Sequence, residues 1–162
     1  MVEIVEQSTI LAPIERVFNL SRSIDLHLIS TQKTKEKAVA GVITGLIGLN
    51  EEVTWQAQHL FKKRYFTSKI THMNTPFYFR DEMVKGDFSS FEHEHFFEAT
   101  ANGTYMTDKL LLCSPYGCLG KLVDLVFMKK YIHGLIIERN RVIKEVAESN
   151  EWQKIIPEQF SL

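Results

Sequence analysis

The sequence predicts an α+β domain in which a curved antiparallel sheet of seven strands, with two short helices after the first strand, is covered by one long C-terminal helix. Three observations predict it. Residues 2 to 11 alternate apolar with polar side chains, the two-residue period returns from Lys35 to Ser114 in segments broken by turn residues, and from Leu119 to Val146 apolar residues recur at three- and four-residue steps. Only one strand precedes the helices, so this is not an alternating α/β chain; a meander of hairpins needs its apolar face covered, and the one long apolar helix can cover it.

Each element follows from local chemistry. Val2, Ile4 and Leu11, with Thr9, give the first strand. Pro13 ends it and suits the first turn of a helix over residues 13 to 20, in which Ile14, Val17, Phe18 and Leu20 recur at helical spacing. A second short helix is expected from Ser23 to Leu28. Turns at Gly45–Gly48, Phe61–Lys63, Met73–Pro76, Gly86–Ser89 and Ala101–Gly103 separate six further strands, the last ending at Pro115. Leu119, Leu122, Val123, Val126, Phe127, Tyr131, Leu135, Val142, Ile143 and Val146 then form one amphipathic stripe, which predicts a helix over residues 119 to 147. Gly134 near its middle marks a bend or close approach, or is simply tolerated. The domain is expected to span residues 1 to 149, with 150 to 162 a short tail that docks through Trp152, Ile155, Ile156 and Phe160.

Composition excludes several classes. At 162 residues the chain has the size of one domain, and 19 basic against 20 acidic residues leave neither a nucleic-acid groove nor a polybasic membrane surface. The start MVEIVEQSTILAP lacks the basic opening and unbroken apolar run of an export signal. The most apolar stretch, Gly41 to Leu49, is interrupted by glycines and falls short of the ~20 residues a membrane-spanning helix needs. Cys113 and Cys118 make neither a disulfide framework nor a zinc motif and read as reduced, unbonded thiols. A cytoplasmic protein without stable membrane insertion is expected.

Strand parity identifies the face beneath the long helix. It carries Val53, Trp55, Ala57, His59 and Phe61; then Phe66, Ser68, Ile70 and His72; then Phe79, Asp81 and Met83; then Phe91, His93, His95 and Phe97; and finally Met106, Asp108, Leu110 and Leu112. A plain core would be aliphatic, whereas this face interleaves aromatic rings with His59, Asp81, His93, His95 and Asp108. Buried without partners, each such group costs several kcal/mol. Two readings stay open: the groups satisfy one another, or they line a ligand pocket. A metal held by His93 and His95 with His59 or Asp81 is a third, but no helical His-Glu-x-x-His or paired-cysteine motif supports it, and no metal or cofactor is assigned. Strand parity puts Trp55 and His59 on one face, and the turn near Asp87 pairs Asp81 with His95 if the two strands register without a bulge, so Trp55, His59, Asp81 and His95 are expected to point into one cavity. His27 either caps the cavity mouth or stays exposed. Glu138, Arg139 and Asn140 either form a solvated helical face, or Arg139 turns inward against a carboxylate such as Asp108.

The segments SIDLH (23–27), EKAVAGVITGLIGLNEEVTWQAQH (36–59), TSKIT (67–71), FRDEMVKGDF (79–88), FEHEHFF (91–97), GTYMTD (103–108), SPYGCLGKL (114–122) and ERN (138–140) together resemble the START-like superfamily, also called SRPBCC, which includes the birch pollen allergen family. More narrowly the chain resembles a bacterial branch labelled polyketide cyclase/dehydrase-like. The resemblance implies a helix-grip fold whose internal cavity takes lipids, sterols or polycyclic aromatic molecules, and assigns no catalytic set. The expected function is therefore binding or carrying a small hydrophobic, aromatic or lipid-like ligand, with Trp55, Phe66, Phe79, Met83, Phe91, Phe97 and Met106 as walls, His59, Asp81, His93 and His95 orienting its polar end, and Asp108 also counted among the ligand-binding residues. The alternatives are a cyclase- or dehydratase-like enzyme using a pocket histidine and carboxylate, and an interaction module or homodimer whose apolar loop 45–49 and tail contact another chain.

Overall fold

The computed structural model describes residues 1–59, 62–115 and 128–156, without the side chains of Lys33, Gln58, His59 and Lys62. Strand β1 (Val2–Ile10) is followed by helices α1 (Ile14–Ser21) and α2 (Ile24–Ser30), then by β2 (Lys37–Gly41), β3 (Glu52–His59), β4 (Lys62–Asn74), β5 (Tyr78–Lys85), β6 (Ser90–Thr100), β7 (Gly103–Cys113) and helix α3 (Lys129–Ala147). The seven strands form one sheet in the order β1-β7-β6-β5-β4-β3-β2, with antiparallel neighbours throughout. Five hairpins run across the sheet, and the two short helices carry the chain from one edge strand to the other. This is the expected α+β architecture.

Local chemistry sets the boundaries. Val2, Ile4 and Ile10 turn inward from β1, whereas Leu11 lies past the strand and is exposed. Pro13 occupies the N-cap of α1, which buries Ile14, Val17, Phe18 and Leu20. Ser23 caps α2 by accepting a hydrogen bond from the Leu26 amide at 3.2 Å. Its neighbour Ile24 ties the helix to the 42–51 loop by donating to the Gly45 carbonyl, and Asp25 accepts from Thr44 Oγ1 and the Gly45 amide. In that loop Ile47 is buried, while Ile43 and Leu49 are exposed. Gly41 ends β2 with a φ of 75°, and a Cβ there would lie 2.1 Å from the Glu52 carbonyl oxygen, so only glycine fits.

Two differences from parity have physical causes. Register shifts between Ile70 and His72, so His72 is exposed and Met73 packs against the core instead. A bulge adds one residue and reverses the faces beyond it. On α3 the buried residues are Ile136, Asn140, Val142, Ile143 and Ala147, while Tyr131 is 40% exposed, so the inward face is rotated from the expected stripe. Gly134 is exposed, and no described residue approaches the position of a Cβ there within 4 Å. Residues 119–127, the first part of the expected helix, lie outside the described residues, as do Phe61, Cys118 and Phe160; Cys113 is a free thiol. No helix among the described residues is long and apolar enough to cross a membrane.

The core lies between the inner face of the sheet and the three helices. Trp152 and Ile155 pack on it, Ile156 is buried in it, and the Arg16 guanidinium lies 4.2 Å from the centre of the Trp152 ring. At its middle Phe18 of α1 is fully buried, edge-on to Phe79 at 5.6 Å and to Phe97 at 5.4 Å. Phe18→Ala is therefore expected to cost about 3–5 kcal/mol. Urea unfolding should show this as a lower midpoint at unchanged slope; a loss under about 1 kcal/mol would contradict the packing.

Candidate functional site

Parity and register bring four titratable side chains together on the inner face. The β5–β6 hairpin is centred on Asp87, so Asp81 lies opposite His93, and His95 lies opposite Phe79 on β5 and Asp108 on β7. The expected direct pairing of Asp81 with His95 is thus corrected by two positions. Because two positions preserve the face, His95 still reaches Asp81 diagonally, Nε2 to Oδ2 at 3.1 Å. Phe79 stacks on the His95 ring at 4.1 Å, and the rings of His93 and His95 are 3.9 Å apart.

Asp108 is the hub. Its side chain has no exposed surface. Oδ2 accepts from Asn140 Nδ2 at 2.7 Å, and Oδ1 accepts from His93 Nε2 at 3.0 Å and from Arg139 Nη1 at 3.3 Å. His95 Nδ1 lies 2.6 Å from the same Oδ1 but off the direction of a ring N–H hydrogen bond, and has no directed partner among the described residues. Arg139 also donates through Nη2 to the Ser21 carbonyl at 2.8 Å, so one carboxylate ties α3 to β6 and, through Arg139, to α1. Of the two expectations for Arg139, the inward one holds.

Charge follows from this packing. Burial opposes ionisation of Asp108, but Arg139, the hydrogen bond from His93 and the His95 ring hold its carboxyl well below the usual carboxylate range. Burial also works against the Asp81 anion, and the hydrogen bond from His95 with the charges of His93, His95 and Arg139 outweighs it, so its pKa is lowered. Burial, and then His95 beside it, push the His93 imidazole below its ordinary value against the pull of Asp108 and Asp81. His93 therefore favours the neutral form.

The remaining expected residues divide into two groups. Phe79, Phe97 and Met106 are buried around the polar cluster, and Phe66, Met83 and Phe91 are half-buried beside it. Phe91 joins Phe66 edge-on at 4.9 Å and Phe88 at 5.9 Å, and its ring is 6.4 Å from that of His93. Trp55 stands apart from the cluster: it is buried against His27, whose ring lies 4.1 Å away and whose Nε2 is 2.7 Å from Glu36. The side chain of His59 lies outside the described residues. A void of about 10 Å³ between α1, α2 and α3 touches Ser23, His27 and Arg139, and a wide open hollow of about 460 Å³ lies at the surface between Leu11–Glu15 and Ala99–Gly103. Among the described residues, Asp81, His93 and His95 bring three metal-capable donors within 4.8 Å of one another.

Sequence reasoning misses Glu6, His133 and Asn140. Glu6 faces Asp108 across the β1–β7 ladder and is 2.7 Å from His133 Nε2. A signal exists: Glu6 shares the parity of Val2 and Ile4, and His133 and Asn140 share helical spacing with Ile136 and Ile143.

No family model and no curated protein matches the chain. Solved structures do. TTHA0849 from Thermus thermophilus has a TM-score of 0.70 at 19% identity over 90% of this chain and 99% of its own. Ginseng major latex-like protein 151 from Panax ginseng gives 0.67 at 11% identity, covering 91% and 98%, and Ara h 8.0201 gives 0.60 at 14%, covering 88% and 97%.

The hub predicts its own energetics. Asp108→Leu and Arg139→Met should each cost about 3–5 kcal/mol, because each strands a buried charge. The double variant should lose at least about 1 kcal/mol less than their sum, read from denaturant unfolding of the four proteins. Strict additivity would mean that the two side chains do not meet. At identities this low the likeness to the solved structures is one of architecture, and the chain has the helix-grip fold.

Proposed function

We propose that this chain binds a small, mainly apolar or aromatic molecule against the inner face of the sheet, with the polar end of the molecule at Asp81 and His93. One observation carries the reading: a row of half-buried aromatic rings, Phe66, Phe88 and Phe91, leads directly to a polar cluster whose outer members, Asp81 and His93, keep 18% and 11% of their side chains exposed. Apolar walls that converge on a few fixed polar groups are the usual composition of a small-molecule site. The sequence resemblance to ligand-binding helix-grip domains agrees with it, and the packed state described here is one that a ligand would have to part at the Phe66–Phe91 contact.

A second reading is acid–base chemistry on the same ligand, favoured by the Asp81–His95 hydrogen bond, which couples a carboxylate to an imidazole. Turnover abolished by His95→Gln with binding retained would identify it.

Native mass spectrometry of freshly purified protein, compared with its denatured mass, should reveal a retained molecule. Titration with 2-naphthol, an aromatic body with one hydroxyl, should saturate in chelator-treated protein, and Phe91→Ala and Asp81→Asn should each weaken it about tenfold or more, which is about 1.4 kcal/mol. No retained mass and no saturable binding to the wild type would overturn the proposal.

A further inference from the structure

The two histidines of the cluster are held by one carboxylate in a way that leaves a position for a cation. Asp108 Oδ1 can only accept, so the His93 nitrogen facing it, Nε2 at 3.0 Å, carries the hydrogen and Nδ1 bears the lone pair. That Nδ1 is 4.0 Å from Asp81 Oδ2. Neutral His95 has one hydrogen for two carboxylates. Placed on Nε2 it serves Asp81 at 3.1 Å and leaves the Nδ1 lone pair facing Asp108 Oδ1 at 2.6 Å. Placed on Nδ1 it lies beside Asp108 Oδ1, off the direction of a straight hydrogen bond, and leaves Nε2 and Asp81 Oδ2 as opposed acceptors. Either neutral form sets two acceptors against each other inside the core, and a positive charge on the Asp81 side resolves the conflict.

We propose that Asp81, His93 and His95 bind one divalent transition-metal ion of the zinc class, through Asp81 Oδ2, His93 Nδ1 and His95 Nε2, with Asp108 as the shared outer carboxylate that orients both rings. Two edges of the ligand triangle agree, and all three ligand atoms lie within 4.8 Å of one another. Two ligand atoms at about 2.0–2.1 Å from a tetrahedral zinc lie about 3.3 Å apart, and the observed 3.1 Å and 4.0 Å from Asp81 Oδ2 to the two histidines bracket that spacing. Histidine ligands normally donate their second ring hydrogen to a carboxylate or carbonyl, and here the nitrogens facing away from Asp81, His93 Nε2 and His95 Nδ1, both face Asp108. Arg139 and Asn140 fix Asp108 in turn, so the outer carboxylate is held in place before any ion arrives. As the ion takes the Nε2 lone pair, the one hydrogen of neutral His95 is carried on Nδ1, on the side of Asp108, so the ring stays a neutral imidazole. Three protein ligands leave a fourth position, as catalytic rather than structural zinc sites do, and the exposed parts of Asp81 and His93 give access to it. The site does not depend on the ligand reading above, since it is made by the cluster alone.

The test uses the full chain after chelator treatment, with Zn²⁺ by calorimetry and Co²⁺ by visible absorption. The wild type should bind one equivalent, and Co²⁺ should give the strong visible bands of a four-coordinate ion. Asp81→Asn and His93→Gln should each weaken Zn²⁺ by about 100-fold or more, and Asp108→Asn by about 10- to 100-fold. Glu151→Gln, in the exposed Glu151–Lys154 pair far along the chain from the cluster, should leave affinity unchanged. Variants that fail to fold are bypassed by ring ¹⁵N spectra of the wild type, in which Zn²⁺ should shift His93 and His95 but not His72. No saturable binding by the wild type would overturn the proposal; so would wild-type affinity in Asp81→Asn, equal loss in Glu151→Gln, or zinc shifts confined to other histidines. Because 2-naphthol is tested without metal, either proposal can fail alone.

Discussion

A carboxylate with no exposed surface sits at the centre of this protein, and its neutralisation dictates what surrounds it. Taking an ion of that kind out of water costs several kcal/mol even after relaxation, so Asp108 must be met by donors from more than one element. Arg139 and Asn140 come from α3, and His93 and His95 come from the adjacent strand β6. The helix must cross the sheet with those two residues over β7, which fixes its position and rotation. That requirement explains why the inward face of α3 contains an amide and a guanidinium between Ile136 and Ile143, rather than the continuous apolar stripe a simple cover would need.

The same constraint separates two parts of the interior. Phe18 meets Phe79 and Phe97 edge-on, Phe79 and Phe97 stack, and all three side chains are sealed. Toward Phe66, Phe88 and Phe91 the rings remain half-buried, and the polar cluster lies between the two regions. A sealed half supplies the stability that lets the other half keep apolar and ionisable groups near the surface, where the gain from burial is incomplete. The solved structures named above share this architecture at identities under 20%, so the likeness to them is one of fold.

Much of this is legible in the sequence. The alternation of β6 and β7 fixes which of their residues face the helix, because successive side chains on a strand must point oppositely, and Phe91, His93, His95 and Phe97 share a face with Met106, Asp108, Leu110 and Leu112 as their parity requires. Where the ladder breaks, the inference breaks. The irregularity between Ile70 and His72 turns His72 outward, since one extra residue inverts a period of two, and nothing in the local sequence marks it. Glu6 and Asn140 escape sequence reasoning for a different reason: a polar residue in an apolar pattern is read as exposed unless its partner is known, and both partners are far away in the chain.

The sequence by itself determined the order and type of the elements, the antiparallel pairing and the face on which the candidate residues lie, because periodicity, turn chemistry and parity act over a few neighbouring residues. Only the tertiary structure decided which of those residues meet. Register centred on Asp87 sets Asp81 against His93 rather than His95, and the docking of α3 delivers Arg139 to a carboxylate 31 residues earlier. Contacts of that kind depend on how two elements slide and rotate against each other, a quantity set by the packing of the whole core and by the need to leave no buried charge alone.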